Sequence, residues 1–208
     1  MKFKTWFKDI WETRYKLVIA FILVLASSSA IYYAGSYVTE LNNTTRLTDI
    51  ILDNYGPINL SFIFVWYSLF IAFAFYIYYL VFEPKNLYYA LLMVSILYII
   101  RSLFIILTHL QNPFDMIEAH WPPFANIIVY SNDLFFSGHT SFPFMAFLIT
   151  KNKLIRYFML FSSIIIGFSA LMMHQHYSID VFAAFFITYG IYKIGDKMIN
   201  FFENRNKK

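Results

Sequence analysis

Apolar residues fall into six runs along the chain: Leu17–Val38, Ile58–Phe82, Leu87–His109, His139–Thr150, Leu154–Met172 and Ser178–Ile199. Most are near the ~20 residues that a helix needs to cross the hydrocarbon core of a bilayer. Charged or polar breaks separate them, and no repeat, linker or low-complexity tract divides them. The pattern predicts an all-α membrane protein of six transmembrane helices, with one membrane domain over residues 17–199. A basic tail follows at 200–208. Ahead of the first run, Phe3, Phe7, Ile10 and Arg14 with Trp6 and Trp11 predict a short amphipathic segment over 1–16, lying on the membrane interface. Basic residues, then Leu17–Leu25, then "ASSSA" also have the parts of a cleavable leader. The run continues to Val38, however, and removing it would leave an odd number of spans, so it is read as the first span.

Composition strengthens this reading. The chain has 208 residues, 60% of them hydrophobic and only 13% charged, against about 45–50% apolar in an ordinary soluble domain. There is no cysteine, which excludes disulfides, thiolate nucleophiles and cysteine metal sites. A sequence pI near 9.1 raises the question of a nucleic-acid partner, and the placement of the charges answers it. Lys2, Lys4, Lys8, Arg14, Lys16, Lys85, Lys151, Lys153, Arg156, Lys193, Lys197, Arg205, Lys207 and Lys208 all fall on one side if the spans number six. Only Arg46 and Arg101 do not. The positive-inside rule makes that side cytoplasmic, with both termini there. The basic charge is then a topology signal, and no nucleic acid is expected as a partner.

Two polar stretches carry chemistry. "SGHT" opens the fourth run, and "HQHYSID" opens the sixth. A hairpin of helices joins them, so both lie at the outer face. His176 and Asp180 are four apart, which on a helix puts them one turn from each other. A carboxylate there fixes the imidazole tautomer and raises its basicity, which makes His176 a nucleophile or base. His139 is then available as an acid toward a leaving group. Ser137 and Gly138 open a helix whose free N–H groups suit an anion, and Pro143 is expected in its first turns. Arg101 stands inside an apolar run, where an ionisable residue is a functional candidate. Counted along the helices, Arg101 and His139 lie ~21 Å and ~17 Å from the cytoplasmic edge. That sets a positive charge beside the histidines, in a recess suited to a lipid headgroup. His109, Asp115, Glu118 and His120 share a long outer loop without ligand spacing, so no metal site and no cofactor are expected.

These motifs resemble the phosphatidic acid phosphatase type 2 (PAP2) superfamily and, more narrowly, its sphingomyelin synthase branch. The branch pairs Gly-Asp-x-x-x-Ser-Gly-His-Thr with His-x-His-Tyr-Thr-x-Asp. Here the two stand as Asn132-Asp133-Leu134-Phe135-Phe136-Ser137-Gly138-His139-Thr140 and His174-Gln175-His176-Tyr177-Ser178-Ile179-Asp180. "LYIIRSLFIILTHLQNP", with Arg101, Thr108 and Pro113, is similar to a third motif, and "DIILDNYGP" is a fainter echo of another. The resemblance covers roughly residues 45–195. It implies a six-helix bundle and metal-independent transfer through a phosphohistidine-like intermediate. His176 would be the nucleophile, Asp180 its orienter and His139 the acid and base. Arg101, Ser137, Gly138, Thr140, His174, Gln175 and Tyr177 would bind substrate.

The departures set the expected reaction. Superfamily phosphatases usually carry Lys-x6-Arg-Pro before the first motif and an Arg six residues before the second histidine. Here Arg101 has no following proline, and the second place is Ala170. Fewer cations favour a singly charged diester over a phosphomonoester. Gln175 stands where the branch usually has an acid, which weakens attraction for a cationic headgroup. The expected function is a lipid phosphotransferase that moves a phospho-headgroup from a membrane phospholipid to a lipid alcohol such as ceramide or diacylglycerol. The alternatives are a PAP2-type lipid phosphate phosphatase and a non-enzymatic anion- or lipid-binding protein or transporter. The expected place is a bacterial cytoplasmic membrane, with the site facing the extracytoplasmic side.

Overall fold

The computed structural model describes residues 3–125 and 129–205; Lys2, Lys207 and Lys208 of the basic termini lie outside the described residues. Among the described residues the regular structure is helical, apart from one isolated parallel bridge between Thr45 and Leu110. The helices are α1 (Phe3–Glu40), α2 (Ser68–Phe82), α3 (Leu87–Leu107), α4 (Gly138–Ile149), α5 (Lys153–Met172) and α6 (Ser178–Arg205). A π-helical turn, Phe62–Tyr67, leads into α2, and a 3-10 turn, Pro84–Asn86, joins α2 to α3. The interfacial segment expected over 1–16 does not stand apart. From Phe3 onward it forms the opening turns of α1, a single helix of 38 residues. Trp6 donates from its indole to the Leu80 carbonyl at 2.7 Å, tying this end to α2.

Five helical stretches are long and apolar enough to cross a membrane: Thr5–Glu40, Phe62–Phe82, Pro84–Leu107, Lys153–Met172 and Ser178–Phe202. Their outward faces expose Phe21, Ile22, Phe70, Phe73, Phe161 and Phe186, as lipid-facing helices do. This fits a multi-pass integral membrane protein. The fourth run differs from the six-span expectation. It forms a helix of only 12 residues, or ~18 Å at 1.5 Å per residue, well short of the ~30 Å core. The physical cause is local. Ser137 caps the helix by accepting the Thr140 N–H, so α4 starts inside the bundle, with Leu134, Phe136 and Ser137 already buried. Pro143 is in the first turns of α4, as expected. It lies in the second turn, where it lacks the N–H that would reach the His139 carbonyl.

The core is built around this short helix. Phe142, Met145, Ala146 and Ile149 of α4 pack with Ile71 and Phe75 of α2, Met93 and Leu97 of α3, Ile166 of α5, and Ala184 of α6. At the α4–α5 turn, Asn152 accepts the N–H groups of Leu154 (3.0 Å) and Ile155 (3.2 Å), which starts α5 cleanly. Higher up, Ser163 donates to the Thr140 carbonyl at 2.7 Å. Gly167 makes the close approach possible, because a Cβ there would stand 3.0 Å from both Thr140 Oγ1 and Val181 Cγ1. α4 and α6 therefore meet α5 at a site where a side chain would press on both. Gly190 of α6, by contrast, faces open space. Gly167→Val is expected to destabilise the protein by about 1–3 kcal/mol through overpacking, whereas Gly190→Ala should be neutral or slightly stabilising. Thermal unfolding in detergent checks this; equal melting for the two variants would contradict the packing described.

Candidate active site

At the end of the bundle that holds the histidine motifs, the helices are knitted together by loop backbone. Thr45 donates to the His109 carbonyl (3.1 Å) and Gln111 to the Thr45 carbonyl (3.0 Å). Asn112 and Asn132 exchange reciprocal bonds, each side-chain oxygen accepting the other's N–H at 3.0 Å. Ile58 donates to the Met172 carbonyl and Ile117 to the Met173 carbonyl. The α1–α2 and α3–α4 loops are thereby fastened to the turn between α5 and α6, which holds His174, His176 and Tyr177.

Within this frame the two histidine motifs meet. The Ser137 N–H donates to the Asp180 carbonyl at 3.1 Å, linking the start of α4 to the first turn of α6. His176 Nδ1 lies 3.3 Å from Asp180 Oδ2, and the same oxygen accepts the Tyr177 N–H at 3.2 Å. Asp180 is fully buried. With Nδ1 turned to the carboxylate, Nε2 is the nitrogen of His176 left for a ligand. The His139 and His176 ring centroids are 6.3 Å apart, near enough for one phosphorus to reach both groups. His139 is flanked by Phe64 (4.5 Å between centroids) and by Trp121 of the long outer loop (5.5 Å).

Both histidines border a cavity of about 290 Å³ whose walls also include Glu118, Trp121, Tyr130, Asp133 and Gln175. Of the residues singled out from sequence, His139, His176 and Gln175 reach this cavity. The others stand behind it. Ser137 Oγ accepts from the Thr140 N–H and from Thr140 Oγ1 (3.2 Å), so both hydroxyls serve the helix cap. The Tyr177 hydroxyl donates to the Gln111 carbonyl at 2.9 Å and accepts the Leu47 N–H at 3.1 Å. His174, in the left-handed region at φ 55°, sets its ring nitrogens 2.9 Å and 3.0 Å from the carbonyls of Phe114 and Tyr55. Gln175 donates to the Ile117 carbonyl.

Arg101 is the largest departure. The guanidinium lies near the histidines, as its depth suggested, yet it is buried and already paired. Its Nη2 and Nη1 reach the two oxygens of Asp133 at 2.9 Å and 3.2 Å, and its Nε donates to the Phe136 carbonyl at 2.9 Å. The Nη1 contact is a charge-assisted hydrogen bond and the Nη2 contact a close charge pair. Gly138 has its explanation here: a Cβ would lie 2.8 Å from Arg101 Nε, so glycine admits the guanidinium against the start of α4. Sequence reasoning missed Asp133 as the partner, Glu118 and Trp121 as cavity walls, and Asp49. Among the described residues, no three His, Asp or Glu side chains gather where they could share a metal ion.

The apolar helices fit an integral membrane protein, and its two histidine motifs converge on one cavity. Residues 131–197, from just before α4 into α6, match the family model for the PAP2 superfamily C-terminal domain. This supports membership in the PAP2 superfamily, and with it a phosphatase- or phosphotransferase-type enzyme acting on lipids. The comparison with curated proteins finds no match.

Two outcomes follow from these contacts. Asp133→Asn leaves Arg101 buried without its counter-charge and should cost on the order of 3 kcal/mol; unchanged unfolding would show that the pair is not held. Asp49 supplies a pH dependence. Burial works against its ionisation, but hydrogen bonds from Ser178, Ile51 and Leu52 outweigh that and hold its carboxyl below the usual 3.8. A depressed folded-state value means stability present above the unfolded value and lost as pH falls through the folded one. The wild type should therefore lose melting temperature more steeply than Asp49→Asn below about pH 4; parallel curves would contradict this.

Proposed function

We propose that the protein is a membrane phosphotransferase that takes a phospho-headgroup from a phospholipid diester and passes it to a lipid alcohol of the ceramide or diacylglycerol kind. The observation that carries this reading is the pair of histidines facing one cavity, one of them backed by a buried carboxylate. In the first step His176 Nε2 attacks phosphorus and the bond to the diacylglycerol oxygen breaks. His139, as imidazolium, gives that oxygen its proton. In the second step the acceptor hydroxyl attacks the phosphorus held on His176. Its proton goes to His139, and the P–N bond breaks. Asp180 keeps the proton of His176 on Nδ1 and stabilises the positive ring while the P–N bond exists.

The charge around the cavity supports a diester over a monoester. No lysine or arginine is among its described lining residues, whereas Glu118 and Asp133 are. Arg101 is already neutralised by Asp133. A phosphomonoester with up to two negative charges meets Glu118 there, and no free cation among the described lining residues. A zwitterionic headgroup brings a single phosphate charge and a cation, and that cation suits Glu118 and the faces of Trp121 and Tyr130. Glu118 thus offers the negative charge that Gln175 lacks. In this reading both termini are cytoplasmic, and the cavity opens to the extracytoplasmic side of the membrane, that of a bacterial cell. Because α4 is short, its start sits below the outer boundary, within reach of a lipid rather than only of solvent.

The experiment is a comparison of donors and acceptors with purified protein in nanodiscs. Headgroup release from phosphatidylcholine or phosphatidylethanolamine is expected to exceed phosphate release from phosphatidic acid, and added ceramide or diacylglycerol should accept the group. Faster dephosphorylation of phosphatidic acid would make the protein a lipid phosphate phosphatase. His176→Ala should abolish turnover, and Asp180→Asn should lower it by on the order of 10²–10⁴. Glu118→Gln should lower kcat/KM about tenfold for an amine headgroup, a change of ~1.4 kcal/mol, and much less for phosphatidylglycerol. Chelators should leave all rates unchanged; loss with EDTA and recovery with a divalent ion would contradict the mechanism.

A further inference from the structure

In the helix that carries Asp180, the residue before the first turn does not cap the first helical N–H. Tyr177 occupies the capping position, and its side chain is too long and too distant to accept an N–H from the first turn. Its hydroxyl is instead 130 residues away in sequence, at Leu47. The first helical N–H, that of Ser178, is taken by Asp49 from the loop after α1: Oδ2 accepts it at 2.6 Å. The carboxylate is itself locked, because Oδ1 accepts the N–H groups of Ile51 (2.9 Å) and Leu52 (3.2 Å). The Asp49 N–H in turn donates to Asp53 Oδ2 at 2.8 Å. Asp49 is buried, at 6% exposure. Three bonds from the 47–55 loop therefore grip residues 174–178: Asp49 on Ser178, Leu47 on the Tyr177 hydroxyl, and the Tyr55 carbonyl on His174.

We infer that Asp49 is a positioning residue for the His176–Asp180 pair, setting where α6 starts and so where the Asp180 carboxylate stands. Asp180 occupies the third helical position, and Oδ2 reaches back to the Tyr177 N–H while also meeting His176 Nδ1 at 3.3 Å. One oxygen serves both only if the first turn is fixed in register. A fray at Ser178 would carry Asp180 away from the ring and leave His176 without its orienter. The negative charge of Asp49 also lies at the positive end of the α6 dipole, where it favours the helical turn. Asp49 is not among the described residues that line the cavity, so its effect on substrate passes through Asp180. The inference rests on the reading of His176 and Asp180 as the reacting pair.

The test compares Asp49→Ala and Asp49→Asn with wild type, below the melting temperature of each. Two readings are taken: amide hydrogen exchange over the first turn of α6, and kcat and KM for headgroup release from phosphatidylcholine and phosphatidylethanolamine. In Asp49→Ala the residues after Met173 should exchange faster, and kcat should fall about tenfold or more, as for supports of other reacting groups, with KM within about twofold. Asp49→Asn, which keeps an oxygen for Ser178, should recover most of kcat and lose about threefold. The inference is overturned if the first turn of α6 exchanges as in wild type, if kcat is unchanged, or if activity falls only with the folded fraction. Should Asp49→Ala not fold, the same criteria applied to Asp49→Asn decide. Should wild type release no headgroup from any phospholipid, the reading of the site fails, and hydrogen exchange alone decides whether Asp49 anchors the turn.

Discussion

Asp180 joins the two halves of the site, and the geometry around it depends on that junction. Its carbonyl receives the Ser137 N–H that brings the start of α4 against α6, while its carboxylate receives the Tyr177 N–H and faces His176. A fully buried carboxylate is costly unless it is hydrogen-bonded, so this one tolerates little displacement of its neighbours. Fixing Asp180 fixes the distance between the two histidine rings. The small residues nearby follow from the same demand. Gly167 lets α5 lie against Thr140 and Val181, and Gly138 lets Arg101 lie against the start of α4.

Arg101 marks the division between scaffold and cavity. In a span, an unpaired guanidinium invites a reading as a substrate anchor. Here the ion pair with Asp133 and the bond to the Phe136 carbonyl occupy it, so its charge braces the loop before α4. The cavity in front is lined by Glu118, by the paired Asp133 and by aromatic rings. In the proposed function that balance, rather than the histidines themselves, favours a zwitterionic diester over a phosphate monoester, since a His–His–Asp set serves either chemistry.

The helical spans were legible because a bilayer demands long apolar runs, and the chain offers little else. The His176–Asp180 contact was expected from helical i,i+4 spacing; it forms, but His176 lies in the turn before α6, and Asp180 reaches back to it from the third helical position. What escaped was non-local. Asp133 lies 32 residues from Arg101, on a loop with no periodicity to read. Glu118 and Trp121 come from the long segment between α3 and α4, and Asp49 reaches Ser178 across 129 residues. The 12-residue extent of α4 matches the fourth apolar run to within one residue at each end, and the apolar run could not show that Ser137 caps the helix inside the bundle. Ser137, Thr140, His174 and Tyr177 stood out as polar residues among apolar ones. Their polar atoms turn to backbone and to each other, the other common fate of a buried polar group.

The account turns on a double displacement at phosphorus, with His176 as the relay between donor and acceptor. The most direct measurement is the stereochemical course of headgroup transfer from a phospholipid made chiral at phosphorus by oxygen isotopes. Two in-line displacements, one by His176 and one by the acceptor alcohol, return phosphorus to its starting configuration, so the account predicts retention. Inversion would mean that the acceptor attacks the donor in a single step. His176 would then be a base rather than a nucleophile, and the central claim would be wrong.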